Sequence, residues 1–204
     1  MRTAAAARIL VSAMVLLAGG CAGILPGQGV APDLYTLSPK STYAKDLPSA
    51  SWQLVIEVPV TAESLNTLRI ALRHDPLTLD YYKNVRWTER APVMVQTLLI
   101  ESFENTGKIV AVARKATDLR ADFVLKTDLR EFQAEYDDAG PPFAHVRVNA
   151  KLVKLPQRTI IASHTAERRL RAKGNDMRQI IYAFDGALGG TLKTIVEWAL
   201  RVPK

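Results

Sequence analysis

Residues 121–136 read ADFVLKTDLREFQAEY and residues 143–155 read FAHVRVNAKLVKL, and both stretches alternate apolar with polar side chains. Alternation with a period of two is typical of a strand with one buried and one exposed face. In the first stretch the apolar positions change parity near residues 130–131, which predicts a β-bulge there. The turn-forming sequence DDAGPP at residues 137–142 predicts that the two strands pair with each other.

A third strand is predicted for residues 159–172, so that the three strands form an antiparallel meander. Two helices are expected near residues 92–105 and 176–202, because apolar residues recur there at three- and four-residue spacing. Shorter strands are predicted for residues 53–58, 69–73, 78–82 and 108–114. This order predicts an α+β fold: a mostly antiparallel sheet with a three-strand meander, covered on one face by two helices.

The apolar stripe of the last predicted helix is interrupted by Gly186, Gly189 and Gly190. A glycine inside a helix costs up to ~1 kcal/mol relative to alanine. Two interpretations are open: the helix backbone packs closely on the sheet at these positions, or the helix bends there.

The first twenty residues have the layout of an export signal. Arg2 and Arg8 give a basic start, residues 9–18 form an apolar run, and Gly19 and Gly20 follow. The apolar run is too short to span a bilayer, which needs ~20 apolar residues. Cys21 comes next and is the only cysteine of the chain, so a disulfide within the chain is excluded. We therefore expect a signal peptide over residues 1–20.

The chain after the signal is expected to divide into two parts. Residues 21–50 contain four prolines among small and polar residues, and this composition predicts a flexible tether. Within it, the apolar residues 34–37 (LYTL) are expected to dock as a short edge strand. Residues 51–204 are expected to form the folded α+β domain.

The formal net charge is +7, and removal of residues 1–20 would leave the chain basic. Because an exported chain meets little nucleic acid, we expect no nucleic-acid partner. Anionic lipid headgroups or an acidic protein are the more natural counterparts of this charge. A basic surface in contact only with solvent is the simpler alternative.

The sequence contains no recognisable catalytic or metal-binding motif. His74, His145 and His164 are far apart, and no metal-ligand spacing, nucleophile motif or phosphate-binding glycine loop occurs. The acidic pair Asp137–Asp138 lies in a predicted turn that solvent would reach in any case. We therefore expect no enzyme activity and no cofactor.

Two groups of residues are candidates for contacts with a partner. Tyr, Trp and Arg dominate the energetics of protein interfaces, although the same residues also close the ends of hydrophobic cores, and both interpretations are open here. The basic end of the third long strand could likewise face a membrane or an acidic partner, or only solvent. The candidates are Tyr81, Tyr82, Arg86 and Trp87 in the first group, and Arg168, Arg169 and Arg171 in the second.

Several short motifs in this order resemble one known family. They are Leu17–Cys21, which resembles the lipobox of bacterial lipoproteins, and then residues 35–37 (YTL), 69–71 (RIA), 81–82 (YY), 86–87 (RW), 119–122 (LRAD) and 196–198 (VEW). Together they resemble the ABC-type transport auxiliary lipoprotein family, which includes the PqiC-like lipoproteins. The likeness covers about residues 34–200.

The resemblance implies a non-enzymatic accessory lipoprotein of an MCE-type transport system. In such systems an ATP-driven permease and MCE-domain proteins move lipids or other apolar molecules between the inner and outer membranes. The resemblance also implies lipid on Cys21 and a place on the periplasmic face of the envelope, with the outer membrane as the expected location. The expected partners are the MCE-domain protein and the permease–ATPase complex.

Two other functions remain open at this point. The domain could carry lipid between its sheet and its helices, or it could be an envelope hydrolase with a site that no motif reveals. The glycines of the last helix and the exposed aromatic residues permit a homo-oligomer without requiring one.

Overall fold

The computed structural model describes residues 31–114, 120–137 and 139–202. Cys21, the signal sequence and the first part of the predicted tether lie outside these residues. The described elements are β1 (Asp33–Tyr35), β2 (Ala50–Ile56), β3 (Val60–Thr61), β4 (Arg69–Arg73), β5 (Asp80–Trp87), α1 (Ala91–Glu104), β6 (Ile109–Ala113), β7 (Phe123–Glu135), β8 (Phe143–Lys154), β9 (Thr159–Arg171) and α2 (Met177–Arg201). Within the described residues, neither helix combines the length and the apolar character needed to cross a bilayer.

Strand β7 organises the sheet, because its thirteen residues are long enough to pair with several partners. On one side it pairs antiparallel with β8 along nearly its whole length, and β8 pairs antiparallel with β9 in turn. The β7–β8 register shifts between Leu129 and Glu131, so the predicted bulge near residues 130–131 is confirmed. The α+β class is confirmed as well, and the longest strand pairings are antiparallel.

The strands on the other side of β7 run parallel to it, which the sequence patterns did not predict. β2, β3 and β4 pair with it one after another, each as a short parallel partner, and β6 lies parallel to β2 beyond them. Alternation identifies the buried face of a strand but not the direction of its neighbours. A strand that returns parallel to an earlier neighbour needs a long connection, and the chain between β2 and β6 includes β3, β4, β5 and α1.

The main core lies between the sheet and the two helices. α1 packs on β2 and β6, α2 packs on β8 and β9, and the helices contact each other. Three of the largest buried side chains in this core are Trp87 of β5, Phe132 of β7 and Phe184 of α2. Their ring centroids lie 5.3–5.5 Å apart. These rings hold helix and sheet together at the middle of the domain.

Helix α2 runs without interruption from Met177 to Arg201, so its glycines do not mark a break. A Cβ atom at Gly186 would lie 2.6 Å from the Leu170 side chain of β9, and one at Gly190 would lie 3.2 Å from the Arg168 side chain. The interpretation of close packing on the sheet is therefore correct for Gly186 and Gly190.

The prediction of a flexible tether is wrong for residues 33–50. The predicted edge strand forms as β1, parallel to β5, and Leu37 and Leu47 are buried in the main core. Composition suggested a tether because prolines disfavour regular structure. The segment is nevertheless ordered, because side chains on the helices accept hydrogen bonds from its backbone.

Polar contacts hold the segment on the helices. The backbone N–H of Ser38 donates to Asp185 (2.7 Å), that of Lys40 to Ser102 (2.9 Å) and that of Ala44 to Glu197 (2.8 Å). The hydroxyl of Tyr43 donates to the carbonyl of Ser102 (2.6 Å). Burial raises the pKa of Tyr43 to about 12, so this hydroxyl keeps its proton at neutral pH. The folded domain thus begins near residue 33 and not at residue 51.

Candidate functional site

The predicted aromatic contact group lies on β5, and half of it belongs to the interior. Trp87 is only 1% exposed and packs in the core between Phe132 and Phe184. The Tyr82 hydroxyl lies 2.9 Å from that of Tyr136, and burial together with this hydrogen bond raises the Tyr82 pKa. Trp87 is therefore not available as a contact residue, and Tyr82 serves the domain's own packing.

The other two members of the group reach the surface. The Arg69 guanidinium lies 3.5 Å from the ring centre of Tyr81, whose hydroxyl donates to the Ser64 carbonyl (3.0 Å). Arg86 is exposed. The accessible part of the predicted group therefore consists of Arg86 and the outer side of Tyr81.

The arginines at the end of β9 are largely used within the domain. Arg171 donates to both carboxylate oxygens of Asp137 (3.1 and 2.7 Å), and these hydrogen bonds lower the Asp137 pKa. Arg169 pairs with Glu135 at 2.8 Å, and both guanidinium groups lie over the Phe143 ring. Together with Arg168, which packs over Gly190, they fasten the strand ends and do not form a free basic patch.

A network that the sequence did not reveal surrounds His145 on β8. The residue lies on the polar face, as predicted, but it is buried. Its Nδ1 lies 2.7 Å from Glu135 Oε1 on β7, and its Nε2 lies 2.7 Å from Glu167 Oε1 on β9. A neutral ring donates to one of these carboxylates and a protonated ring to both. The contacts tie three neighbouring strands together.

Glu131, Glu135 and His145 are the group of described residues that could hold a metal ion, since their ligand atoms lie within 4.8 Å of one another. These carboxylates, however, already have partners. Buried Gln133 donates to Glu131 (2.7 Å) and to Glu135 (3.0 Å), and Arg169 pairs with Glu135. A divalent cation would have to displace these donors, so the geometry favours a charge-compensated structural network.

The signal for this network was present but incomplete in the sequence. The period of a strand places Glu131, Gln133 and Glu135 on one face of β7, and His145 on the corresponding face of β8. The third partner, Glu167, depends on the β8–β9 register, which the sequence did not determine.

The network predicts a loss of stability in acid. Burial alone would raise the pKa of Glu135, but hydrogen bonds from His145 and Gln133 and the charge of Arg169 outweigh burial and lower it below the ordinary value. Because the folded state binds this proton more weakly than the unfolded state, ionised Glu135 stabilises the fold at neutral pH. This contribution disappears as the pH falls through the folded pKa.

We expect Glu135→Gln to lower the free energy of unfolding at pH 7 by about 1–2 kcal/mol and to flatten its dependence on pH below 5. Urea unfolding at a series of pH values measures both effects. Glu63→Gln, at an exposed position, is the control and should leave the acid dependence unchanged. Equal acid dependence in wild type and Glu135→Gln would contradict the assignment.

A family model and several known proteins match this chain. The model of a family described as ABC-type transport auxiliary lipoprotein component matches residues 35–196. The crystal structure of XCC0632 from Xanthomonas campestris, described as family DUF330, is 30% identical with a TM-score of 0.78, covering 82% of this chain and 94% of that one. The hypothetical protein CT253 from Chlamydia trachomatis, with 10% identity, a TM-score of 0.53 and coverage of 75% of this chain and 98% of that one, shares the fold alone.

A curated relative from Bradyrhizobium diazoefficiens, the uncharacterized protein bll6063, is 28% identical over 181 residues. The match covers 87% of this chain and 47% of the relative, so the chain spans about half the length of that protein. The family match, in contrast, covers almost the whole folded region from β1 into α2. The chain therefore belongs to the family of ABC-type transport auxiliary lipoprotein components.

Proposed function

We propose that this chain is a non-enzymatic envelope lipoprotein that assists an MCE-type ABC transport system in moving lipids or other apolar molecules between the inner and outer membranes. The observation that carries the proposal is the family match over residues 35–196. It spans the folded domain itself, so the likeness does not rest on the signal sequence. The partners would be the MCE-domain protein and the permease–ATPase complex.

The domain would be held at the membrane by lipid on Cys21, on the periplasmic face and at the outer membrane. Since the folded domain begins at β1, the connection between anchor and domain is residues 22–32. Fully extended, this segment would reach at most about 40 Å. So short a connection would keep the domain close to the bilayer that carries the anchor.

The hairpin of β4 and β5 offers the contact surface for the transport partner. Its connecting turn is fixed by Asp75, which accepts hydrogen bonds from the backbone N–H of Leu77 (2.8 Å) and of Thr78 (3.1 Å). The turn presents Leu77 with 96% of its surface exposed. We call Leu77 in the turn, together with Tyr81 and Arg86 on β5, the hairpin surface, and tyrosine and arginine are enriched among the residues that dominate protein interfaces.

Photo-crosslinking in cells tests this surface. A photoreactive residue at position 77 or 86 should crosslink to an MCE-domain protein. The same residue at exposed positions 178 and 182 on α2 is the matched control and should not. Crosslinks that are equal at all four positions, or that never contain an MCE-domain protein, would count against the hairpin surface.

Lipid carriage between sheet and helices is the weaker candidate. The described residues there include Trp87, Phe132 and Phe184, which fill the space with tightly packed rings. A ligand would have to displace such buried side chains, which is costly in a close-packed interior.

A further inference from the structure

A row of apolar side chains crosses five neighbouring strands of the sheet. The strand registers pair Ala113 with Val55, Val55 with Val124, Val124 with Val153, and Val153 with Ile160. The row thus runs from β6 through β2, β7 and β8 to β9. With neighbouring strands ~4.8 Å apart, it is roughly 19 Å long.

This row lies on the face of the sheet turned away from the main core. Leu54 and Ile56 flank Val55 in sequence and belong to the main core, as do Phe123 and Leu125 on either side of Val124. Successive side chains of a strand point to opposite faces, so the two valines face the other way. Val55, Val124 and Val153 accordingly form a separate buried cluster.

The same face is polar along the rest of the long strands. Asn149 and Lys151 lie on the same face of β8 as Val153. Asp128 and Lys126 lie opposite them on β7. Apolar residues replace these polar ones where the strands reach the β2–β6 end of the sheet. Such a local change on an exposed face indicates a binding surface more than a second core.

A cavity of about 650 Å³ lies above this row. Val55, Val124, Val153 and Leu155 line it together with Ile160. The three valines are buried at its floor, while Ile160 at its β9 end is 57% exposed, so the cavity opens toward that edge. Its volume lies within the range of roughly 300–1,000 Å³ that is usual for small-molecule sites, and an elongated apolar floor suits a hydrocarbon chain.

The charged residues around the cavity favour an anion. Arg114, Lys126 and Arg158 line it, and Glu57 is the one carboxylate among the described residues of its lining. Lys126 pairs with Glu57 at 3.2 Å. Among the described residues, Arg114 donates to neutral oxygens, those of Gln96 and Thr97.

Arg158 is the cation best placed to receive a ligand. It is exposed, and among the described parts of the chain no carboxylate pairs with it. It lies in the turn between β8 and β9, beside the open end of the cavity. An anionic group bound to Arg158 would therefore leave room for a chain that extends inward over the valines.

We propose that this groove binds an anionic amphiphile, with one hydrocarbon chain along the apolar row and the headgroup at Arg158. A single-chain phospholipid with a net negative charge has this chemistry. The inference does not require the transport role, because the groove would bind such a lipid whether or not an MCE protein is the partner.

Native mass spectrometry of the full chain in a non-ionic detergent tests the groove with palmitoyl lysophosphatidylglycerol as the probe. We expect one lipid bound per chain. Ile160→Asp, at an exposed position that tolerates a polar side chain, should weaken binding about tenfold, because the lipid chain then meets a carboxylate. Leu34→Asp, at an exposed position on β1 at the other side of the sheet, is the matched control and should bind as wild type does.

The headgroup is tested by reversing one charge. Arg158→Glu should weaken binding of lysophosphatidylglycerol about tenfold, whereas Arg178→Glu on α2 should not. Zwitterionic lysophosphatidylcholine should bind wild type more weakly than the anionic lipid does. If millimolar inorganic phosphate displaces bound lysophosphatidylglycerol as effectively as added lipid does, the groove is a simple anion site and the proposal is overturned.

Two further outcomes would also overturn it. Lipid binding that is unchanged in both Ile160→Asp and Arg158→Glu would place the lipid elsewhere. If a peptide that pairs as an extra strand with the β9 edge fills the groove, the occupant is a protein and not a lipid. The crosslinks from the hairpin surface report on the transport role separately, so either proposal can fail while the other stands.

Discussion

Phe184→Ala is expected to lower the free energy of unfolding by about 3–5 kcal/mol, the range that is usual when a buried phenylalanine is truncated. Phe184 is fully buried, and its ring centroid lies 5.3 Å from that of Trp87 and 5.4 Å from that of Phe132. It is therefore the contact through which α2 packs against both β5 and β7. Its removal leaves a cavity where helix and sheet meet.

Urea unfolding followed by circular dichroism measures this loss. Tyr182→Ala is the matched control, because Tyr182 lies on the same helix and is 61% exposed. Its effect should stay within about 0.5 kcal/mol. A loss below 1 kcal/mol for Phe184→Ala would show that the rings do not hold helix and sheet together as described.

Cys21→Ala is expected to release the protein almost completely from the membrane. Each buried CH₂ of an acyl chain contributes ~0.8 kcal/mol, and two or more chains make a stable anchor. Without lipid on Cys21, this contribution to membrane binding is lost.

Fractionation after a carbonate wash, together with metabolic labelling by a palmitate analogue, checks this expectation. Leu34→Ala is the control and should keep both the label and the membrane fraction. Labelling that persists in Cys21→Ala would place the lipid on another residue. Retention in the membrane without any label would point to a different mode of attachment.

Local patterns predicted the long strands well, because each pattern is complete within a single segment. The alternation of residues 121–136 and 143–155 identified β7 and β8, and the change of parity near residue 130 located the bulge. The apolar residues 34–37 likewise predicted the edge strand that forms as β1. In these cases the chemistry of neighbouring residues is enough to determine the outcome.

The features that were missed depend on distant segments. The parallel pairings beside β7 join segments that lie far apart in the sequence, and residues 33–50 are ordered by acceptors on helices that lie far along the chain. Composition alone made those residues look like a tether. A tryptophan is compatible with either a core or a surface position. Only the neighbours Phe132 and Phe184 show that Trp87 lies in the core.

The His145 network and the groove could not be predicted from the sequence for the same reason. His145 meets Glu135 and Glu167 from two different strands, so the network exists only in the observed register. The apolar row of the groove takes one residue from each of five strands. A single apolar residue in each strand carries no signal until the strands are aligned.

Affinity capture from solubilised envelopes tests the central claim, that this lipoprotein is a component of an MCE-type ABC transport system. The tagged full chain should co-purify with an MCE-domain protein, a permease and its ATPase, each enriched well above the amount captured by an unrelated lipoprotein of the same membrane. The exposed substitution Arg178→Glu should leave this enrichment unchanged. Capture that enriches none of the three transport proteins would contradict the account.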